Sequence, residues 1–251
     1  MFPVHNSCSL WEVVRLTREV LQVQLEEAGY ELGKPIVHNI DITVAEGEMV
    51  GLIGPNGAGK STTIKAILDL VDYKKGKVHI GGAKQRYAYV PEQPIYYNYL
   101  TLWEHLELAA AAFEIEQQQF KQKAEQLLTL FKLESKVHHY PGQFSKGMQQ
   151  KLMLIIAFLL EPDVYIVDEP FVGLDPRATI DLLALLTMEQ QRGAGVLLCT
   201  HVLDTAEKIC NRFVLLHTGT IVAEGTFSQI QHLAEMDEQA TLLQCFDRLT
   251  E

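Results

Sequence analysis

GPNGAGKST occupies residues 54–62, between an aliphatic run at 49–53 and a helix-forming segment at 63–68. A strand, a glycine loop and a helix in this order predict a phosphate-binding loop. Glycines let successive backbone N–H groups point at phosphate oxygens, and the start of the helix adds its positive dipole end. The sequence therefore predicts that the chain binds a nucleoside triphosphate through this loop, with the candidate binding residues Gly54, Pro55, Asn56, Gly57, Ala58, Gly59, Lys60, Ser61 and Thr62.

Within and beyond the loop, four side chains have the chemistry of phosphoryl transfer. Lys60 is predicted to reach the β- and γ-phosphates, and the Ser61 hydroxyl to ligate Mg²⁺. The apolar run 164–167 is typical of a parallel strand buried on both faces, and the carboxyl end of such a strand is where open α/β sheets bind ligands. Asp168, at that end, is predicted to hold Mg²⁺ directly or through water, and Glu169 to act as general base. The alternative is a pair of solvated acids at a strand end.

Composition limits the possible partners. The chain has 251 residues, of which 47% are hydrophobic and 21% charged, as in ordinary globular proteins. Lys and Arg total 21 against 32 Asp and Glu, a net charge of −11 that disfavours nucleic acid as a partner. The longest apolar run, 152–160, is shorter than the roughly 20 residues needed to cross a bilayer. We therefore expect any work at a membrane to go through another subunit. The scattered cysteines, for which we predict a packing role in a reducing cytosol, are Cys8, Cys199, Cys210 and Cys245.

Hydrophobic periodicity predicts the order of the secondary-structure elements. Strands are predicted at 21–25, 40–44, 49–53, 78–80, 87–90, 164–167, 196–199, 213–216 and 220–223. Helices are predicted after residue 59, over 102–136 and 145–160, near 177–191, from about 204, and in the acidic tail from 226. A further short helix is predicted within residues 1–18, with Ser9 as its cap. The pattern indicates an α/β core with a helical insert.

With these parts located, the chain resembles the ATP-binding subunit of ABC transporters from about residue 20 onward. Six segments occur in the family's order: GPNGAGKST at 54–62, PEQP at 91–94, FSKGM at 144–148, YIVDEP at 165–170, GLDP at 173–176 and TH at 200–201. The resemblance implies an α/β fold, a P-loop NTPase (RecA-like) core with an antiparallel β edge and an inserted helical subdomain. The implied organisation is an extension at 1–19, a core at about 20–94 and 157–251, and a helical subdomain at about 95–156.

The FSKGM segment opens a predicted helix, so Ser145 and the Gly147 N–H form an anion-binding helix terminus. In the family, this terminus meets the γ-phosphate held by a facing copy, which gives a head-to-tail dimer with ATP at the interface. The second subunit would be another copy of this chain or a homologous ATPase. A cap that only closes its own helix is the alternative for Ser145. The chain departs from the family's commoner LSGGQ, with Lys146 for the first Gly of the pair and Met148 for Gln.

The resemblance also implies roles for three residues that alone would have a structural interpretation. His201 would hydrogen-bond the γ-phosphate and steady the water and Glu169, although a lone histidine is usually structural. Asp175 would cross the dimer interface, although an Asp before a proline is also a common turn residue. Tyr30 would stack on adenine.

The PEQP segment has two candidates for a residue that senses Mg²⁺ and the membrane partner. Glu92 aligns with the family's glutamine, Gln93 follows it, and the sequence leaves open which side chain points inward. The nearby aromatic residues are predicted either to form an apolar surface for a partner helix or to pack in the core: Tyr96, Tyr97, Tyr99 and Trp103.

The resemblance implies an ATP-hydrolysing subunit that dimerises around two Mg·ATP and drives a separately encoded polytopic membrane subunit. Such a subunit would lie peripherally on the cytoplasmic face of the cell membrane. The segments from 91 and 144 most resemble the Ecs-type ATPase of Gram-positive bacteria. The alternative is a soluble ABC ATPase that acts on nucleic acid or ribosomes. It is disfavoured by the acidic balance, by the single phosphate loop, and by an interval between Lys60 and Ser145 too short for a long coiled coil.

Overall fold

The computed structural model describes residues 18–251. The short helix predicted next to Ser9 lies outside the described residues. The strands are β1 (Glu19–Gly29), β2 (Val37–Ala45), β3 (Met49–Ile53), β4 (Tyr73–Ile80), β5 (Tyr87–Val90), β6 (Val164–Asp168), β7 (Gly195–Thr200), β8 (Arg212–His217) and β9 (Thr220–Gly225). The helices are α1 (Lys60–Ile67), α2 (Leu102–Ala112), α3 (Gln117–Phe131), α4 (Lys146–Leu159), α5 (Pro176–Arg192), α6 (Leu203–Ile209), α7 (Phe227–Leu233) and α8 (Leu242–Thr250). None of the helices described is both long and apolar enough to cross a membrane.

The central sheet has the strand order β5-β6-β7-β3-β8-β9, parallel except for the antiparallel hairpin β8–β9. Strands β3, β6 and β7 are buried along their whole length, because helices and the second sheet cover both faces. Ile53 pairs with Thr200 and Asp168 with Cys199. The carboxyl ends of β3, β6 and β7 are therefore level with one another, and the segments that follow them leave the sheet on the same side.

A second, antiparallel sheet has the order β2-β1-β4. Its strands alternate as the sequence predicts, with Val23 and Ile42 buried on one face and paired across β1 and β2. This buried face shares one apolar cluster with Val50 of β3 and Ile64 of α1. The antiparallel sheet thus covers α1, the helix that carries the phosphate loop at its start.

The helical insert consists of α2, α3 and α4. The single helical region predicted over 102–136 is two helices, because the chain turns at Glu114, where φ is +54°, and Glu116 then caps α3 through its carboxylate. A capping box formed by Thr101 and Glu104 fixes the start of α2. One apolar cluster joins these helices to the central sheet. The division of the chain at about residues 94 and 157 stays a prediction.

The four aromatic residues after the PEQP segment divide between the two expected environments. Tyr96 and Trp103 pack against the apolar core, and the Tyr96 hydroxyl accepts a hydrogen bond from Gln149. Tyr97 and Tyr99 are 63% and 92% exposed. Only two of the four aromatic residues therefore contribute to the surface. The neighbouring Ile95, which is 71% exposed, extends this apolar surface.

Candidate functional site

The phosphate loop joins the end of β3 to the start of α1 in a conformation that requires glycine. Gly59, the residue before the first helical position, has a φ of +107°, and a Cβ there would lie 2.6 Å from Cγ1 of Val37. Gly57 also has positive φ, with open space where its Cβ would be. The loop can therefore turn its backbone N–H groups toward a ligand at the positive end of α1.

Lys60 is buried in the middle of this loop. Its Nζ donates hydrogen bonds to the carbonyl oxygens of Gly54, at 2.7 Å, and Pro55, at 3.2 Å. The ammonium group is thus held inside the curve of the loop, at the position where phosphate oxygens would need a cation.

The two carboxylates follow from β6. Asp168 ends that strand and is buried, and its Oδ1 has no hydrogen-bond partner among the residues described. Burial raises the pKa of Asp168, and repulsion from Glu169 and Glu92 adds to the effect, whereas the Cys199 thiol and Lys60 act against it. Glu169 turns out of the strand at a φ of +45°, with its backbone N–H donating to the Cys199 carbonyl at 2.9 Å. This turn gives the two adjacent carboxylates different directions.

His201 and Glu169 contact each other directly. The Nδ1 of His201 lies 2.8 Å from Oε2 of Glu169, and the backbone N–H of His201 donates to the same oxygen at 3.3 Å. The imidazole is more than half exposed, while the carboxylate is almost buried. The contact follows from the pairing of β6 and β7, whose carboxyl ends lie side by side.

These groups surround one cleft of about 440 Å³. Its lining residues are Ile36, Pro55, Asn56, Gly57, Gly59, Lys60, Ser61, Thr62, Glu92, Glu169, Val172 and His201. Of the two candidates in the PEQP segment, Glu92 lines the cleft and Gln93 does not. Ile36 and Val172 were missed, because an aliphatic residue beside a loop carries no chemical signal in a sequence.

Mg²⁺ takes oxygen ligands in a nearly octahedral shell and keeps substrate phosphates among them. The oxygens beside the phosphate loop are the Ser61 hydroxyl and the Asp168 carboxylate, whose buried Oδ1 is free of other bonds. This donor set fits the ion. Within residues 18–251, no cluster of three or more His, Cys, Asp or Glu could hold a metal ion by itself. An ion bound here would therefore share its ligands with the nucleotide.

Tyr30, Ser145, Gly147 and Asp175 are predicted site residues that do not line this cleft. The ring of Tyr30 lies beneath the Lys65 ammonium, with Nζ 5.2 Å from the ring centroid. Ser145 caps α4, its hydroxyl accepting the Met148 N–H at 3.3 Å. Gly147 is packed so tightly that a Cβ would lie 2.5 Å from the carbonyl oxygen of Gly173. The start of α4 is thus fixed against the loop that follows Glu169.

Asp175 has two local bonds. Its Oδ1 accepts the Ala178 N–H at 2.9 Å as the cap of α5, and its Oδ2 pairs with Lys151 of α4 at 2.8 Å. Both bonds favour the ionised carboxylate, so the Lys151 ammonium first and the Ala178 N–H second lower the pKa of Asp175 to about 2. A turn residue was the alternative that the sequence left for Asp175, and in the single chain Asp175 caps α5.

We expect Asp175→Ala to lower the free energy of unfolding by about 1 kcal/mol, the usual cost of a lost helix cap. Asp175→Asn keeps a capping oxygen and should lose less, because the exposed ion pair adds little. Since the folded pKa lies below the unfolded value, the charged cap contributes fully above about pH 4 and its contribution is lost as the pH falls toward 2. Urea titrations at pH 7 and pH 3 measure both effects; equal stability of the Ala variant and the parent at pH 7 would refute the prediction.

Comparisons with known proteins agree on one family. The family model described as ABC transporter matches residues 37–172. The chain is 49% identical to the uncharacterized ABC transporter ATP-binding protein YthP of Bacillus subtilis, over 90% of this chain and 95% of that protein. It is 42% identical to the ABC-type transporter ATP-binding protein EcsA of the same organism, over 82% and 87%.

Two solved structures share the fold. The ATP-binding subunit of an ABC transporter is 41% identical, with a TM-score of 0.87 over 92% of this chain and 100% of that one. A dimeric ATP-binding cassette bound to ADP and Pi is 23% identical, with a TM-score of 0.71 over 82% and 98%. The predicted P-loop NTPase fold is confirmed by these similarities.

Proposed function

This chain belongs to the ABC transporter family as an ATP-binding subunit with ATPase activity, and on that premise we propose that two subunits close around two Mg·ATP to drive a separate membrane-spanning subunit. The observation that carries the proposal is the cleft in which the phosphate loop, Glu169 and His201 meet. The membrane partner and the peripheral position on the cytoplasmic face belong to the same proposal.

The residues of the cleft have separate tasks. The loop N–H groups and Lys60 bind the phosphates, and Mg²⁺, when bound through Ser61 and Asp168, neutralises phosphate charge. Glu169 orients the attacking water and accepts its proton. His201 holds Glu169 through Oε2, 2.8 Å from its Nδ1, and offers its exposed edge to the γ-phosphate. Phosphoryl transfer needs little more than this positioning and charge stabilisation.

The dimer is proposed because the second anion-binding terminus is outside the cleft. Ser145 and Gly147 begin α4 and do not line the chain's own phosphate site. Lys146 follows the cap directly, and the first turn of α4 contains no acid to offset its charge. A triphosphate held by a facing copy would supply the missing negative charge. Asp175 and Tyr30 keep the interface and adenine roles that the resemblance implies.

The membrane partner is proposed to contact the surface formed by Ile95, Tyr97 and Tyr99. These exposed side chains follow Glu92, so a partner pressing on them would act on a segment that reaches the phosphate cleft. Their chain is anchored nearby, because the Tyr97 N–H donates to Nε2 of His105 at 2.9 Å. An apolar partner helix would find aromatic contacts there.

We expect the tagged chain to co-purify with an integral membrane protein from detergent-solubilised membranes of its own cells. Mass spectrometry of the eluate identifies the partner by its hydrophobic spans. Replacing Tyr97 and Tyr99 by Ser should reduce the recovered partner several-fold. Met188→Ser, which changes an exposed apolar side chain of α5, is the matched control. Recovery of ribosomes or nucleic acid in place of a membrane protein would overturn the transport role.

A further inference from the structure

The phosphate cleft carries an excess of negative charge. Lys60 is the cation among its lining residues, whereas Glu92 and Glu169 are anions and Asp168 lies buried beside them. ATP brings further negative charge to this cleft, so the balance of charges affects which form of the nucleotide binds.

One of these negative charges comes from Glu92, at a position that aligns with the family's glutamine. A fixed backbone presents it, because Pro91 is buried and its carbonyl accepts a hydrogen bond from Nε2 of Gln150 at 3.2 Å. Burial is the main cause of the raised pKa values of Tyr89 and Asp168, and the negative charge of Glu92 adds to both. Gln93, the next residue, lies outside the cleft lining.

We propose that Glu92 makes nucleotide binding depend on the divalent cation, by repelling metal-free ATP and by attracting the cation that arrives with Mg·ATP. The inference rests on the proposed Mg²⁺ site at Ser61 and Asp168. A glutamine at this position offers a similar oxygen but no net charge. The Glu92 carboxylate therefore makes the binding of metal-free ATP less favourable, and a bound cation offsets this repulsion.

The size of the effect follows from Coulomb's law. Two like charges about 6 Å apart still repel each other at an effective dielectric constant near 20, and the exposure of Glu92 to water weakens this repulsion. Removing the charge should therefore strengthen the binding of metal-free ATP roughly tenfold, which corresponds to 1.4 kcal/mol. With Mg²⁺ present, the same change should alter affinity by less than about threefold, because the cation screens the phosphates.

The experiment measures the dissociation constant of ATP by calorimetry, in excess EDTA and in Mg²⁺ at equal ionic strength. The proteins are the parent, Glu92→Gln and Glu125→Gln, each checked for an unchanged melting temperature. We expect the dissociation constant in EDTA divided by that in Mg²⁺ to fall about tenfold in Glu92→Gln. The same ratio should stay unchanged in Glu125→Gln, which removes an exposed carboxylate of α3 that does not line the cleft.

An unchanged ratio in Glu92→Gln would overturn the inference while leaving the ATPase function intact. An equal fall of the ratio in Glu125→Gln would overturn it as well, because the effect would then follow from the net charge of the protein and not from the cleft. Failure of the parent chain to bind Mg·ATP at all would instead refute the proposed function of the site.

Discussion

Glu169→Gln is expected to retain ATP binding while ATP turnover falls about 100- to 10,000-fold, the range typical of a lost general base. The amide keeps the shape of the side chain and an oxygen toward His201, whose Nδ1 lies 2.8 Å from the carboxylate. It has no charge to accept a proton from water. The phosphate-binding groups are unchanged, so the closed dimer should form and persist because the reaction that reopens it is blocked.

Phosphate release measures the turnover, and light scattering coupled to gel filtration with Mg·ATP measures the dimer. Glu125→Gln, which removes an exposed carboxylate on α3, is the control for the change of charge. It should match the parent both in turnover and in the amount of dimer detected. Parent-level turnover in Glu169→Gln would remove Glu169 from its proposed role.

The sequence predicted the strands and helices best where burial alone decides them. The aliphatic run at 164–167 and the alternation at 21–25 both became strands, because each pattern matches the number of faces that the strand buries. The extent of β4 was underestimated, since its first half, from Tyr73 to Lys77, is polar and lies at the edge of the antiparallel sheet. Edge strands need no apolar pattern, and their hydrogen bonds come from a partner far away in sequence.

The sequence predicted those parts of the candidate site in which a short motif determines the local backbone conformation. To predict the phosphate loop and the pair Asp168–Glu169, it was enough to know the local geometry and that parallel strands have their carboxyl ends on the same side of a sheet. The sequence could not predict that Glu92 lines the cleft and Gln93 does not, because this depends on the path of the chain after β5, where Gln150 donates to the Pro91 carbonyl. No pattern in a single chain could bring Ser145 to the cleft, because the proposed site for it belongs to a second copy.

Lys60→Ala is expected to weaken ATP binding roughly 100-fold, in line with the loss of charge-assisted hydrogen bonds that contribute about 1.5–3 kcal/mol. Lys60 is the cation among the residues that line the cleft, and its Nζ already lies within the curve of the loop, 2.7 Å from the Gly54 carbonyl. Without Lys60, the loop would offer the phosphates only its N–H groups and the Mg²⁺ that accompanies the nucleotide, close to the carboxylates of the cleft. Equilibrium titration with a fluorescent ATP analogue in Mg²⁺ measures the loss.

Because Lys60 is buried, its removal also leaves the carbonyls of Gly54 and Pro55 without their donor, and a folding defect could imitate a binding defect. Lys60→Met keeps the aliphatic stem but removes both the charge and the donor to the two carbonyls, so the melting temperature serves as the check on folding. Lys121→Ala removes an exposed lysine of α3 and should leave affinity unchanged. If Lys60→Met folds normally and binds ATP as the parent does, the phosphates are held elsewhere, since a buried cation in a true phosphate loop must contribute to affinity.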